Sequence, residues 1–163
     1  MITVSDYLDL KKKLKEFDLV YPHKLAILPI NLNKAKSKEN LFNSETTSTV
    51  RILWKKAGVI ETSIEGKNKI PELIEESFEW VGPTIFFASN LITGNPELVN
   101  LVITIISDYL TEWFKGKVKE ERKAKLHIVV QTKTGSYKDI KYDGDVEGLK
   151  ELSKVVRSLD DER

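Results

Sequence analysis

The sequence predicts an α+β fold: a small mixed sheet, including a C-terminal β-hairpin, packed against a long central helix and amphipathic terminal helices. Three observations predict it. Around a Thr-Gly-Ser-Tyr turn, Leu126, Ile128, Val130 and Thr132 alternate with Lys125, His127, Val129, Gln131 and Lys133, and Ile140 and Tyr142 resume the apolar phase on the return. Residues 94–116, GNPELVNLVITIISDYLTEWFKG, form the most apolar long helix candidate in the chain. Apolar residues recur at helical spacing near both ends, at Tyr7, Leu10, Leu14 and Phe17 and again at Leu149, Leu152, Val155, Val156 and Leu159.

Taken in order, Ser5 reads as the N-cap of a first helix. Asp6 and Asp9 fall in its first turn and Lys11, Lys12, Lys13 and Lys15 towards its other end, charges placed to suit the helix dipole. KLAILPINL, residues 24–32, is short and rich in branched side chains and reads as a buried strand. Pro29 cannot donate to a ladder, so it marks an edge or a bulge. Residues 33–46, NKAKSKENLFNSET, are polar, lysine-rich and aperiodic, which predicts a mobile surface loop. TSTVRILWKKAG fits two patterns: Val50, Ile52 and Trp54 alternate as in a strand, whereas Val50, Leu53, Trp54 and Ala57 share a helix face. Glu45 ahead of it, Lys55 and Lys56 near its end and Gly58 at the C′ position favour the helix.

VIETSIEG alternates weakly, as a short strand would. IPELIEESFEW suggests a turn or short helix opening at Pro71, with Glu72, Glu75, Glu76 and Glu79 on its wet side, and GPTIFFASNLI is apolar enough to be interior. Gly94-Asn95-Pro96 is a helix start, and on the helix that follows Asn100, Thr104, Ser107, Asp108, Thr111 and Lys115 make one narrow polar stripe directed at solvent. The hairpin strand beginning near Leu126 reads as half-buried. Asp145 caps the last helix, and the tail 160–163, DDER, frays. No repeat or linker divides the chain, so residues 1–163 are read as one domain.

The composition narrows function by exclusion. The chain has no cysteine, which removes disulfides, thiolate metal sites and thiol nucleophiles and suits a reducing cytosol. Its 26 basic and 25 acidic residues leave a net charge of +1, so no global field draws it to nucleic acid or anionic lipid. The N-terminal residues lack a continuous apolar h-region, which argues against an export signal and for a cytoplasmic, soluble protein. A spanning helix needs about twenty predominantly apolar residues, and the run from Leu98 reaches only Ser107 before Asp108 interrupts it.

Motifs that carry chemistry are missing. No stretch matches a phosphate loop, a dinucleotide fingerprint, a nucleophile elbow or a metalloprotease helix. His23 and His127 have no paired ligand motif and read as surface or boundary histidines. Glu72, Glu75, Glu76 and Glu79 could supply paired carboxylates or a hard-cation site, but a solvated helix face explains them as well. DIKYDGD lacks the ligand spacing of a calcium loop, and its Asp143-Gly144 pair reads as a turn. The expectation is therefore no catalytic residue, no metal and no cofactor. One basic segment stands out: Lys115, Lys117, Lys119, Arg122, Lys123 and Lys125, with Tyr137 on the hairpin as an aromatic platform, could track a phosphate backbone.

From residue 97 to 157, the apolar helix ELVNLVITIISDYLTEWFKG, the basic connection, the strand AKLHIVVQ, the return KDIKYDGD and the helix GLKELSKVV follow one another in an order that resembles small effector-associated components of bacterial conflict and defence systems. That resemblance implies an adaptor that positions an effector and carries no catalytic residues. The residues and the resemblance together lead to one expectation: a non-enzymatic interaction module, an accessory or adaptor subunit of a prokaryotic system that self-associates. Tyr109, Trp113 and Phe114, where the long helix leaves the core, are the expected interface. Nucleic-acid binding through the basic segment is the alternative, and an enzyme built on the glutamates comes last.

Overall fold

The computed structural model describes residues 1–67, 69–74 and 79–160. The elements run β1 (Ile2–Asp6), α1 (Leu10–Glu16), β2 (Leu25–Leu28), β3 (Asn43–Ser44), α2 (Thr47–Lys56), β4 (Glu72–Leu73), β5 (Trp80–Phe87), α3 (Ser89–Gly94), α4 (Pro96–Trp113), β6 (Lys123–Gln131), β7 (Tyr137–Asp145) and α5 (Leu152–Asp160). Five strands form one sheet in the order β1-β7-β6-β5-β2, while β3 and β4 make a small parallel pair of their own. Within the main sheet β5 and β6 are parallel, joined by a crossover through α3 and α4, and the other pairs are antiparallel. The fold is α+β with a mixed sheet, a C-terminal hairpin and a long helix packed on it.

The hairpin forms where the alternation places it. Its register runs from Lys123↔Asp145 to Gln131↔Tyr137. The turn is closed by the Thr132 amide donating to the Ser136 carbonyl at 2.8 Å, with Gly135 supplying a φ of +87° that side chains disfavour. β6 differs from the expected half-buried strand, because Ile128, Val129 and Val130 are all fully buried. Helices α2, α4 and α5 cover one face, packing Trp54, Val102, Ile106 and Val156 against Ile85, Ile128 and Val130. α1 and the chain after β2 cover part of the other, packing Leu10, Leu14, Phe17 and Leu32 against Ala26, Leu28, Phe86 and Val129.

Local chemistry explains the helix ends. Asn95 caps α4, its side chain accepting from the Leu98 amide at 3.2 Å, and Pro96 occupies the first turn. α2 is the helix that the charge and glycine signals favour. It closes with Gly58 at φ +79°, the Gly58 amide reaching the Lys55 carbonyl at 3.1 Å and the Val59 amide the Trp54 carbonyl at 2.9 Å. Asp145 caps the last helical segment through the Gly148 amide at 3.0 Å, beginning with a 3-10 stretch, Val146–Glu151, before α5.

Several expectations are corrected. Ser5 does not cap a helix: residues 2–6 are the edge strand β1, and α1 begins four residues later, capped by Asp9 accepting from the Lys12 amide at 3.3 Å. VIETSIEG is not a strand. It runs as irregular chain along the edge of β2, where the Thr62 amide donates to the Leu25 carbonyl at 2.8 Å, and buries Val59 and Ile64. The segment 33–46 is no plain surface loop, since Ala35, Leu41, Asn43 and Ser44 are buried and its end forms β3. Glu72 and Leu73 form β4 rather than a helix, and Glu75 and Glu76 lie outside the described residues, as do residues 161–163 of the tail. On α4, Ser107 is buried and Leu101 is 41% exposed, so the wet side is rotated towards Leu101 and away from Ser107. Among the described residues no helix is long and apolar enough to cross a membrane.

Candidate functional site

Two surfaces have the chemistry to do something: the outer face of α4 and a cleft on the open part of the sheet. On α4, Leu98, Leu101, Ile105, Tyr109 and Trp113 recur every three or four residues and fall on one longitudinal stripe. Leu101 and Trp113 are 41% and 46% exposed; Leu98, Ile105 and Tyr109 are half-buried. The acidic Glu97, Asp108 and Glu112 border the stripe, and all three are exposed. Of the three expected interface side chains, Tyr109 and Trp113 reach the surface and Phe114 does not. Phe114 is fully buried and belongs to the main core, meeting the Trp113 ring edge-on at 4.7 Å between centroids.

The basic segment leaves α4 through a turn and the 3-10 stretch Lys119–Glu121 into β6. Its cations are partly engaged with their own surroundings. The Lys117 ammonium sits 5.3 Å above the Trp113 ring, Arg122 donates to the Lys117 carbonyl at 2.9 Å, Lys115 pairs with Glu112 at 3.8 Å and Lys125 with Glu79 at 3.3 Å. Lys119 and Lys123 are exposed. Tyr137 is not the aromatic platform that stacking on bases requires. It is buried, its hydroxyl 2.7 Å from that of Tyr21, and both burial and that bond push its ionisation upwards.

The described glutamates of the acidic set serve separate purposes. Glu72 accepts from both the Ser48 amide and the Ser48 hydroxyl at 2.7 Å, capping the first turn of α2, while Glu79 pairs with Lys125. His23 is exposed and lies edge-on to Tyr21.

His127 is more than a boundary histidine. One cross-strand row runs Thr3, Lys141, His127 and Thr84 over β1, β7, β6 and β5. Asp139, one row away and only 4% exposed, hydrogen-bonds His127 Nε2, and Thr84 Oγ1, in a residue 1% exposed, lies 3.2 Å from Nδ1. The carboxylate fixes the tautomer: Nε2–H donates to Asp139, leaving Nδ1 to accept from the Thr84 hydroxyl. Lys141 Nζ stands 3.9 Å from the other Asp139 oxygen. The Tyr7 ring closes the site edge-on, 6.2 Å from the imidazole, and burial, followed by the Asp139 charge, keeps its hydroxyl protonated well above the ordinary phenol range. Over the Lys141 end of this row a cleft of about 420 Å³ opens, lined by Thr3, Ile30, Thr84, Lys125, His127 and Lys141 among others.

Sequence reasoning missed Thr84 and Asp139. The one available signal was phase: in YKDIKY, Asp139 falls in step with Tyr137 and out of step with Ile140, which puts a carboxylate on whichever face Tyr137 buries.

The class this architecture defines is an α+β protein with helices on both faces of a mixed five-stranded sheet. No protein-family model matches the chain, and neither a curated protein nor a solved structure shows significant similarity to it.

Proposed function

We propose that the chain is a non-enzymatic interaction module, a self-associating accessory or adaptor subunit of a prokaryotic system, and that it docks through the outer face of α4. The apolar stripe from Leu98 to Trp113 carries this reading. Leu101 in the second turn of α4 and Trp113 at its end, 41% and 46% exposed, are joined by the half-buried Ile105 and Tyr109 into one strip with a polar border, the pattern of a docking surface. The occupant that best suits the strip is a second copy. Its start carries Glu97 and, beyond the Glu112–Lys115 pair, its end leads into Lys117, so two copies packed antiparallel about a two-fold axis set that acid against that base at both ends. Antiparallel packing also opposes the two helix dipoles. The order of elements from residue 97 to 157, which resembles effector-associated adaptors, supports the same reading.

Light scattering on a sizing column tests it. The expected result is a discrete dimer of the 18.7 kDa chain, converted to monomer by Leu101→Glu. A monomer at every concentration overturns self-association through α4, and a dimer indifferent to that substitution moves the interface elsewhere.

A further inference from the structure

The cleft above His127 joins an apolar wall to a charge that can be switched. With the imidazole neutral, Asp139 serves both the Nε2–H of His127 and, at 3.9 Å, the Lys141 ammonium. The floor of the cleft is then electrically balanced. Imidazole is the one side chain whose ordinary charge change falls between about pH 5 and about pH 8. Once protonated, it donates from both nitrogens, to Asp139 and to a Thr84 hydroxyl turned to accept. Asp139 is then matched by the imidazolium lying against it. Lys141, 61% exposed and directly across the sheet from His127, loses its counter-charge.

The remaining charged groups do not cancel that surplus. On β6, Lys125 is held by Glu79 at 3.3 Å, a pair neutral in itself. Asp143, opposite Lys125 on β7, is exposed at the rim, and the Met1 ammonium, which also lines the cleft and donates to the Asp143 carbonyl at 2.7 Å, stands beside it, so the rim carries one charge of each sign. Tyr7 presents a neutral ring edge, and the facing side chains of β5 and β1 are the hydroxyls of Thr84 and Thr3. Both nitrogens of His127 are occupied, so a ligand would meet Lys141 rather than the imidazole.

We propose that this cleft binds a small organic monocarboxylate with an apolar body, its head on Lys141 and its tail against Ile30 and Val81, and that binding draws a proton onto His127. A volume of about 420 Å³ suits a small molecule. One surplus positive charge matches one carboxylate; a dianionic phosphate leaves a second charge unanswered in a cleft that already holds Asp139. The site is independent of the α4 face and does not require self-association.

Calorimetric titration of the full chain with octanoate, beside octan-1-ol as the uncharged probe, tests the inference at about pH 6 and about pH 8. Octanoate should bind several-fold more tightly at the lower pH, approaching about tenfold per pH unit where one proton is taken up. Octan-1-ol should bind weakly and alike at both. Lys141→Met, at a position outside the core, should abolish octanoate binding without unfolding the protein, and His127→Gln should remove the pH dependence. Absence of octanoate binding at either pH overturns the proposal. So does equal affinity at both, octan-1-ol binding as tightly as octanoate, or an unimpaired Lys141→Met variant.

Discussion

At the level of single residues, the tightest constraint lies between β7 and α5. The Tyr142 hydroxyl donates to the Asp145 carbonyl, and burial with the Asp145, Glu147 and Asp143 charges raises its pKa to about 12. A methyl group at Gly148 would run into that hydroxyl, and one at Gly144 would come within 2.9 Å of it. Gly148→Ala should therefore cost about 1–3 kcal/mol in urea unfolding, and the cost should shrink in a Tyr142→Phe background, where the oxygen is gone. Equal losses in both backgrounds would show that the backbone, not the hydroxyl, demands glycine there. Such contacts were not legible beforehand: the sequence reads Gly144 as a turn residue, whereas it lies within β7 opposite Ala124, and it reads Gly148 as part of the helix that Asp145 caps. The same holds for His127, whose partners Thr84 and Asp139 stand 43 and 12 residues away in the chain. Nothing local marks either as its neighbour.

At the level of elements, signals carried within one or two turns were readable and those needing a distant partner were not. α4 starts at Asn95-Pro96 and α2 ends at Gly58 because caps are local chemistry. The hairpin is adjacent in sequence, and its alternation can be followed through the break at Val129. β1 escaped notice, since a five-residue strand on the sheet edge draws its hydrogen bonds from β7, more than a hundred residues later. Ser5 and Asp9 both have the chemistry of an N-cap, and the strand claims Ser5. Asp9→Ala should accordingly lower stability by about 1 kcal/mol, whereas Ser5→Ala should leave it within about 0.5 kcal/mol of the parent. Chemical denaturation of the two variants decides between them; a larger loss at Ser5 would return the helix start to the earlier position. β3 and β4 were hidden for the same reason as β1, being two residues each and paired across the whole of α2.

At the level of the molecule, the sequence read as a sheet with one dry face, yet helices or packed chain lie on both. His127, Lys125 and Lys141 in the outward phase made the second face look wet, while Val129, Tyr137 and Phe86 further along the same face are buried under α1 and its neighbours. That face is thus divided into a core and an open cleft. The opposite face is covered by α4, whose own outer side carries the exposed stripe. Trp113 and Phe114, neighbours in sequence, separate these two demands on the helix. Phe114 is sealed in the core, and Phe114→Ala should cost about 3–5 kcal/mol as its cavity goes unfilled. Trp113→Ala removes a ring that is 46% exposed and should spare the fold while weakening assembly. Circular dichroism melts read beside light scattering discriminate the two roles. A Trp113→Ala variant that melts like the parent yet runs as a monomer places the residue in an interface. One that loses stability while keeping the parent's mass makes Trp113 a lid on Phe114, and removes the tryptophan from the docking surface.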